Sequence, residues 1–169
     1  MVFCAFLYEM DDFMDVHEKF MKEALKEAKK AYKKGETPIG AVIVKDGKII
    51  ARGHNRRETK KNALCHAEII AINKACKKLG GWRLFQCDMY VTLEPCLMCA
   101  GAIVQSRIKN LYFGANDEKG GAVGSLINIP ALPHITQRVN AEGGILKDEC
   151  SKILKDFFKE LRKTKSAND

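Results

Sequence analysis

The first clear pattern in the chain is helical. Apolar residues recur every three or four positions between lysines and glutamates, at Phe13, Val16, Phe20, Ala24, Ala28 and Ala31. This period predicts an amphipathic helix that ends near residues 34–35, where a glycine follows a basic turn. Residues 1–12 show no helical or strand period, so we predict that they form an N-terminal extension, packed or disordered, outside a domain over residues 13–165.

Strand patterns follow the first helix. In the segment AVIVKDGKIIARG, two runs rich in β-branched residues flank Asp46-Gly47, a dipeptide that a type I′ hairpin turn favours. The alternation of strands and helices beyond it indicates an α/β fold, with one sheet and crossover helices on its faces. The predicted elements are helices over 65–79, 95–106 and 147–163, strands over 88–93 and 110–114, and a Gly- and Pro-rich surface loop over 115–135.

Composition narrows the class of protein. A chain of 169 residues suits a single domain, and no apolar run approaches the roughly 20 residues that cross a bilayer. The net charge of +8 suits a polyanionic partner, although solubility alone would explain it equally well. Seven cysteines, an odd number, and the absence of a cleavable leader do not fit a secreted disulfide framework. We therefore expect a cytoplasmic protein that does not associate with membranes.

Two short motifs carry the candidate chemistry. The triplet HAE at 66–68 opens the second predicted helix, and PCLMC at 95–99 opens the third. Cys96 and Cys99 are three residues apart, on one face of a helical turn, where two thiolates can bind the same metal ion. With His66 they make three ligands, which leaves the fourth tetrahedral position of zinc open, as in catalytic sites. Both helix N-termini favour thiolates there.

Glu68 is the candidate acid and base. Residues two positions apart in a regular helix point in roughly opposite directions. Glu68 and His66 can therefore share a cavity only if His66 lies at the helix entry. A carboxylate shielded from bulk water beside a metal ion is suited to move protons between an attacking water and a leaving group.

Each motif alone has an ordinary explanation. An HAE triplet is common at solvated helix starts, and a CxxC motif could be a redox pair or half of a structural zinc site. No second CxxC completes a four-cysteine site, and the pair opens a proline-started helix rather than a thioredoxin-like context. Together, HxE and PCxxC form the known signature of zinc nucleobase deaminases.

On these residues the chain resembles the cytidine deaminase superfamily, and more narrowly the bacterial tRNA-specific adenosine deaminase family. The resemblance implies a three-layer α/β/α sandwich around a five-stranded mixed sheet, a homodimer, one Zn²⁺ per subunit, and deamination of the wobble adenosine to inosine in a tRNA anticodon. The likeness runs from about Met14 to Arg162 and includes TPIGAVIV at 37–44, HAEIIA at 66–71, YVTLEPCLMCAGAIVQSRI at 90–108, FGANDEKGGAVGS at 113–125 and EGGILKDECSKILKDFF at 142–158.

The resemblance also assigns the catalytic centre and the base pocket. It matches Glu68 to the proton shuttle. The matched zinc ligands are His66, Cys96 and Cys99. The residues matched to the flipped base and its neighbouring nucleotide are Asn55, which hydrogen-bonds the base, Ala67, Pro38, Leu93, and Asp117, which lies near a ribose hydroxyl.

The resemblance and the charge pattern also imply contacts to the rest of the tRNA. Phe158 and Arg162 match a C-terminal helix segment that lies against the anticodon loop. The charges of Lys119 and Lys159 suit RNA phosphates.

Two other functions stay open. One is a deaminase of a free nucleobase or nucleoside, guanine or cytosine, that uses the same zinc chemistry. The other is a catalytically idle RNA-binding subunit, against which the presence of Glu68 weighs. We expect Phe157 to be a core residue, and the other histidines, His17, His54 and His134, to lie on the surface or in a loop.

Overall fold

Side chains alternate across the central strands, so the two faces of one sheet carry separate apolar rows. In the computed structural model, Ala41 and Ile43 face one helical layer, while Val42 and Val44 face the other. The structure describes residues 2–133, 135 and 137–166. Its elements are α1 (Val2–Tyr32), β1 (Gly40–Lys45), β2 (Lys48–His54), α2 (Arg57–Lys60), α3 (Ala67–Leu79), β3 (Cys87–Leu93), α4 (Leu97–Gln105), β4 (Asn110–Ala115), a 3₁₀ helix (Ile129–Ala131), β5 (Asn140–Gly143) and α5 (Lys147–Ser166).

The strands form one sheet in the order β2-β1-β3-β4-β5. β1 pairs antiparallel with both β2 and β3, whereas β3, β4 and β5 run parallel to one another. The β1–β2 hairpin turns at Asp46 and Gly47, whose φ angles of 50° and 68° are both positive, as a type I′ turn requires. The predicted five-stranded mixed sheet is confirmed.

The helices form a layer on each face of this sheet. Ala71 of α3 and Ile103 of α4 are buried on one face. Met21 of α1 and Cys150 of α5 are buried on the other. This arrangement confirms the predicted three-layer sandwich. Over residues 2–133, 135 and 137–166, none of the helices combines the length and the apolarity that a bilayer crossing requires.

Three elements differ from the pattern-based prediction. α1 begins at Val2 rather than at Phe13, because a nucleated helix propagates through residues that carry no amphipathic period. β5 was not predicted, because its four residues are all exposed and show no alternation of apolar and polar side chains. The predicted surface loop buries Ala122 and Val123 against the core around α4. The assignment of residues 1–12 to an extension stays a prediction.

The predicted locations of the histidines are only partly confirmed. His17 is not on the surface: it is buried on the sheet side of α1, where Nδ1 lies 2.9 Å from the Tyr90 hydroxyl and the ring lies 4.1 Å from that of Tyr112. His54 is half-buried and hydrogen-bonds Glu27. His134 lies outside the described residues. Phe157 is a buried residue, as expected.

The close approach of α3 to β2 generates a stability prediction. A Cβ on Gly53 would collide with the Ala67 carbonyl oxygen and lie 2.8 Å from the Ala71 amide nitrogen. Because this contact is with helix backbone, Gly53→Ala should destabilise the protein by about 1–3 kcal/mol, measured by urea unfolding. Gly81→Ala is the control, since its Cβ would meet nothing within 4 Å. Equal midpoints for both variants would contradict the close approach.

Candidate active site and metal centre

The strand directions bring four loops to one edge of the sheet. Because β1 is antiparallel to β2 and β3, its first residue, Gly40, pairs with His54 at the end of β2. β3 and β4 are parallel, so Leu93 and Ala115 end at this same edge. The segments that converge there are therefore those just outside these strand ends, at 37–39, 55–66, 94–99 and 116–125.

Three donor atoms meet where α3 and α4 begin. His66 and Cys96 each lie just before a helix in extended backbone, with ψ angles of 156° and 173°. The Nδ1 atom of His66 lies 3.7 Å from the Cys96 sulfur and 3.6 Å from the Cys99 sulfur. All three donor atoms fall within 4.8 Å of one another. His66 lies outside the helix that contains Glu68, as the HxE spacing required.

These three side chains share protons. Hydrogen bonds from Cys99 and His66 lower the pKa of the Cys96 thiol to about 4, so this group is a thiolate at neutral pH. The contact with Cys96, together with burial, raises the pKa of Cys99 far above its usual range. The hydrogen bond with Cys96 also raises the pKa of His66. A bound metal ion would replace these protons, because it requires thiolates and a neutral imidazole.

Glu68 lies beside this cluster in a dry environment. It is 4% exposed, and burial raises the pKa of its carboxyl group although His66 acts in the opposite direction. Its Oε2 atom has no hydrogen-bond partner within the part of the chain that the structure describes. A buried carboxyl oxygen without a partner is costly, and such groups concentrate at functional sites. Two sulfurs, one imidazole nitrogen and a neighbouring carboxyl group fit a catalytic tetrahedral metal.

A cavity of about 690 Å³ opens beside His66. The sequence-predicted residues on its wall are His66, Asn55, Leu93, Asp117, Lys119, Phe158 and Arg162. The structure therefore gathers residues from the segment between β2 and α3, from the end of β3, from the loop after β4 and from α5 around one opening. Two further cations, Arg57 and Lys155, line the same cavity and were not predicted. Lys155 stands three residues before Phe158, so its position on that helix face was the available signal.

Apart from Glu68, Cys96 and Cys99, three predicted site residues are not on the cavity wall. Pro38 and Ala67 are buried and are not on the cavity wall, although the neighbours of Pro38 on both sides are. Lys159 lines a separate groove between α1 and α5.

Asn55 is oriented by a buried carboxylate that the sequence analysis missed. The Asn55 side chain donates from Nδ2 to Glu36, at 3.4 Å, and the amides of Glu58 and Thr59 donate to Glu36 at 3.2 and 2.7 Å. Glu36 is fully buried. Burial alone would raise the pKa of Glu36, but the hydrogen bonds from Thr59 and Glu58 outweigh it and hold that pKa below its ordinary value.

A second buried carboxylate, Glu94, shapes the loop after β4. Its oxygens accept hydrogen bonds from the amides of Asp117, Val123 and Ser125, at 3.0–3.1 Å, and from the Ser125 hydroxyl. Because Glu94 comes two residues before Cys96, it joins this loop to the segment that carries Cys96 and Cys99. Gly121 lets the two approach, since a Cβ there would collide with the Glu94 carboxyl group.

The geometry agrees with comparisons to known proteins. The sequence model of the MafB19-like deaminase family matches residues 15–162. A tRNA-specific adenosine deaminase of Bacillus subtilis (strain 168) is 53% identical over 154 residues, which cover 91% of this chain and 96% of the relative. The chain belongs to the tRNA-specific adenosine deaminase family. The predicted family is thereby confirmed.

Solved structures resemble this deaminase as well. One comes from a study of A-to-I editing by tRNA:A34 deaminases at the wobble position of transfer RNA. It is 46% identical, with a TM-score of 0.78, and the match covers 80% of this chain and 99% of that one. A guanine deaminase from Bacillus subtilis is 35% identical, with a TM-score of 0.58 and coverage of 87% and 94%.

The buried carboxylate behind Asn55 generates a pH prediction. Glu36→Gln leaves backbone donors facing an amide group, so it should cost about 1–3 kcal/mol of unfolding free energy at pH 7. Because folding lowers the pKa of Glu36 below its ordinary 4.5, the stabilisation by its charge is complete above that pH. This stabilisation is lost as the pH falls through the lower, folded-state pKa.

The measurement is urea unfolding of wild type and Glu36→Gln at pH values from about 3 to about 7, in steps of about one pH unit. The gap between the two proteins should be largest at neutral pH and should narrow in acid. Glu58→Gln, which makes the same change at an exposed carboxylate, is the matched control. A gap that stays constant with pH would show that the charge of Glu36 is not what stabilises the loop.

Proposed function

We propose that this protein is a zinc-dependent hydrolase that converts adenosine to inosine at the wobble position of a tRNA anticodon. The observation that carries the proposal is the His66, Cys96 and Cys99 cluster beside the buried Glu68, at the wall of a cavity that also carries cationic side chains. The high identity to tRNA-specific adenosine deaminases over nearly the whole chain supports the choice of substrate.

The proposed cofactor is one Zn²⁺ per subunit. His66, Cys96 and Cys99 would hold it, since imidazole and thiolates are its preferred ligands and three protein ligands suit a catalytic site. When bound, zinc supplies Lewis acidity and makes water a stronger nucleophile at neutral pH.

Glu68 is the proposed proton carrier. Its buried carboxyl group, with a raised pKa and an unpartnered Oε2, can accept a proton from the attacking water at neutral pH. It donates this proton to the purine ring nitrogen. It then takes the second proton of the water, from the hydroxyl now bonded to the ring carbon, and donates it to the departing amino group. The balance is one adenosine and one water consumed, with one inosine and one ammonia formed. The dry surroundings of Glu68 keep bulk water from competing for these protons.

The flipped base is proposed to bind between Asn55, Leu93 and the buried segment that contains Pro38. Glu36 holds one N–H of the Asn55 amide, which leaves the second N–H and the carbonyl oxygen to pair with an edge of the base. Ala67 is proposed to contribute a backbone group at the start of α3. Asp117 is proposed to contact the ribose of a neighbouring nucleotide, which would help to select RNA over DNA.

The cavity wall favours a polymeric substrate over a free base. Arg57, Lys119, Lys155 and Arg162 supply cations, and the exposed ring of Phe158 stands among them. Cations of this kind neutralise phosphates, and an exposed aromatic ring stacks on an unpaired base. A free guanine or cytosine carries no phosphate to meet them. Lys159, in the neighbouring groove, is proposed as a further phosphate contact.

We also propose that the protein is a cytoplasmic homodimer. The six cysteines that the structure describes in side-chain detail are free, which suits a reducing compartment. Three strongly exposed leucines lie on the segments around the metal centre: Leu64 before His66, Leu97 after Cys96, and Leu126 on the loop that Glu94 organises. Covering them in a second subunit would bury apolar surface next to the site. Light scattering measures the resulting mass.

The substrate is tested by incubating the zinc-loaded protein with total tRNA and sequencing the products for inosine. Inosine at the wobble position of a tRNA is the expected result. Ammonia release from free guanine, cytosine or cytidine, with no inosine in tRNA, would instead favour the nucleobase deaminase.

Removing the carboxylate should separate metal binding from catalysis. Glu68→Gln should keep zinc, because Glu68 is not among the proposed ligands, yet lose at least about 10²-fold in kcat because its proton transfer is lost. Elemental analysis and single-turnover inosine formation are the measurements. Glu149→Gln, at an exposed site on α5, is the charge-matched control. A rate close to wild type for Glu68→Gln would rule out the proton carrier.

Removing a proposed zinc ligand should lower the zinc content of the protein, whereas removing the Glu68 carboxylate should not. Cys99→Ala should purify with much less than one zinc per chain, since two ligands bind this ion far more weakly than three. Cys76→Ala, outside the donor cluster, should retain the full amount. Equal zinc content in the two variants would show that Cys99 is not a ligand.

A further inference from the structure

A second groove, distinct from the cavity beside His66, runs between α1 and α5. We call it the α1–α5 groove; its volume is about 470 Å³, and four of its lining residues are lysines. They are Lys29 in the last turn of α1, Lys33 directly after that helix, and Lys159 and Lys163 from α5. Each pair is four residues apart, so its two ammonium groups stand about one helical turn apart on the same helix face.

These four lysines are available for a ligand. All four are exposed, and none forms an ion pair with another residue in the part of the chain that the structure describes. In contrast, the neighbouring Lys30 is paired with Glu27. The groove therefore concentrates unneutralised positive charge.

The two carboxylates in the groove are already occupied. Asp156 forms an ion pair of 2.7 Å with Lys152. Glu160 accepts a hydrogen bond from the Tyr32 hydroxyl, which raises the pKa of Tyr32 to about 12. Tyr32 in turn packs edge-on against Phe157, with ring centroids 5.5 Å apart, so the wall between the helices is fixed. The two carboxylates therefore bind partners within the protein, whereas the four lysines form no ion pair among the described residues.

The groove continues the cationic wall of the active-site cavity. Lys155, Phe158 and Arg162 line the cavity, and the next row of the same helix, Lys159 and Lys163, lines the groove. A polyanion that leaves the cavity over α5 therefore meets the α1 lysines next. Ammonium groups are strong phosphate binders that act as point charges, without the planar geometry that recognises a base edge.

We propose that the α1–α5 groove binds backbone phosphates of the anticodon stem, the duplex that continues from the loop whose base enters the cavity. This inference rests on the proposed function. Uniform, unpaired lysines favour a phosphate backbone over a protein partner, since protein interfaces are depleted in lysine and centre on aromatic and apolar anchors. Lys29 and Lys33 then make stem contacts that the cavity residues cannot make.

The test removes the α1 side of the groove, which does not touch the cavity. The double variant Lys29→Gln/Lys33→Gln keeps helix propensity and length but removes two charges. Binding is measured by fluorescence anisotropy, with the zinc-loaded full chain, to two RNAs of the same loop sequence. One is a hairpin with a five-base-pair stem (about half a duplex turn), and the other is the single-stranded loop alone.

The expected result depends on the stem. The double variant should bind the hairpin about tenfold more weakly, with a log–log salt slope reduced by up to about 1.8, because each phosphate contact contributes about 0.9. Its affinity for the single-stranded loop should match that of wild type. The matched control is Lys77→Gln/Lys78→Gln, the same change in the last turn of α3, which should bind both RNAs as wild type does.

Two results would contradict the proposal that the α1–α5 groove binds phosphates of the stem. One is unchanged hairpin affinity and salt slope, and the other is an equal loss for both RNAs, which would place these lysines on the loop instead. Neither result bears on the chemistry. Failure of the proposed function is seen separately, as the absence of inosine when the wild-type protein is incubated with tRNA.

Discussion

The meeting of two helix starts at one sheet edge is the constraint on which the rest of the site depends. The donor atoms of His66 and Cys96 can point at one spot because both residues are extended, immediately before α3 and α4. Each helix directs its unpaired N–H groups and positive dipole end toward that spot. The antiparallel-to-parallel change at β3 sets the two helices on the same face and at the same edge, so the site follows from strand order.

Much of this could be predicted from sequence. The hairpin was marked by Asp46-Gly47, and the helix starts by HAE and PCxxC, because local turn and capping rules act over few residues. The displacement of His66 from its helix followed from the two-residue spacing to Glu68. By contrast, β5 was invisible to pattern analysis, since its four residues are exposed and its pairing with β4 depends on main-chain hydrogen bonds alone.

The carboxylates that organise the site could not be predicted. In the sequence, Glu36 and Glu94 are ordinary polar residues between predicted elements, and their spacing does not predict that they are buried. What buries them is a set of distant backbone amides, 22 to 31 residues along the chain, that become donors only once the sheet has formed. The same holds for Lys155 and Arg57, whose common cavity requires α5 and α2 to be neighbours. Long-range satisfaction of hydrogen bonds leaves no local signature.

The site is also a local cost that the rest of the fold must offset. Burying Glu68 with no partner for Oε2 among the residues that the structure describes disfavours the folded state, because this carboxyl group is desolvated without full compensation. The apolar contacts of Ala67, Ala71 and Ile103 with the sheet hold the segment in place regardless. The carboxylates of Glu36 and Glu94 then fix the neighbouring loops through hydrogen bonds from their backbone amides. The protein therefore separates the groups that make the loops rigid, which are fully hydrogen-bonded, from the group that moves protons, which is not.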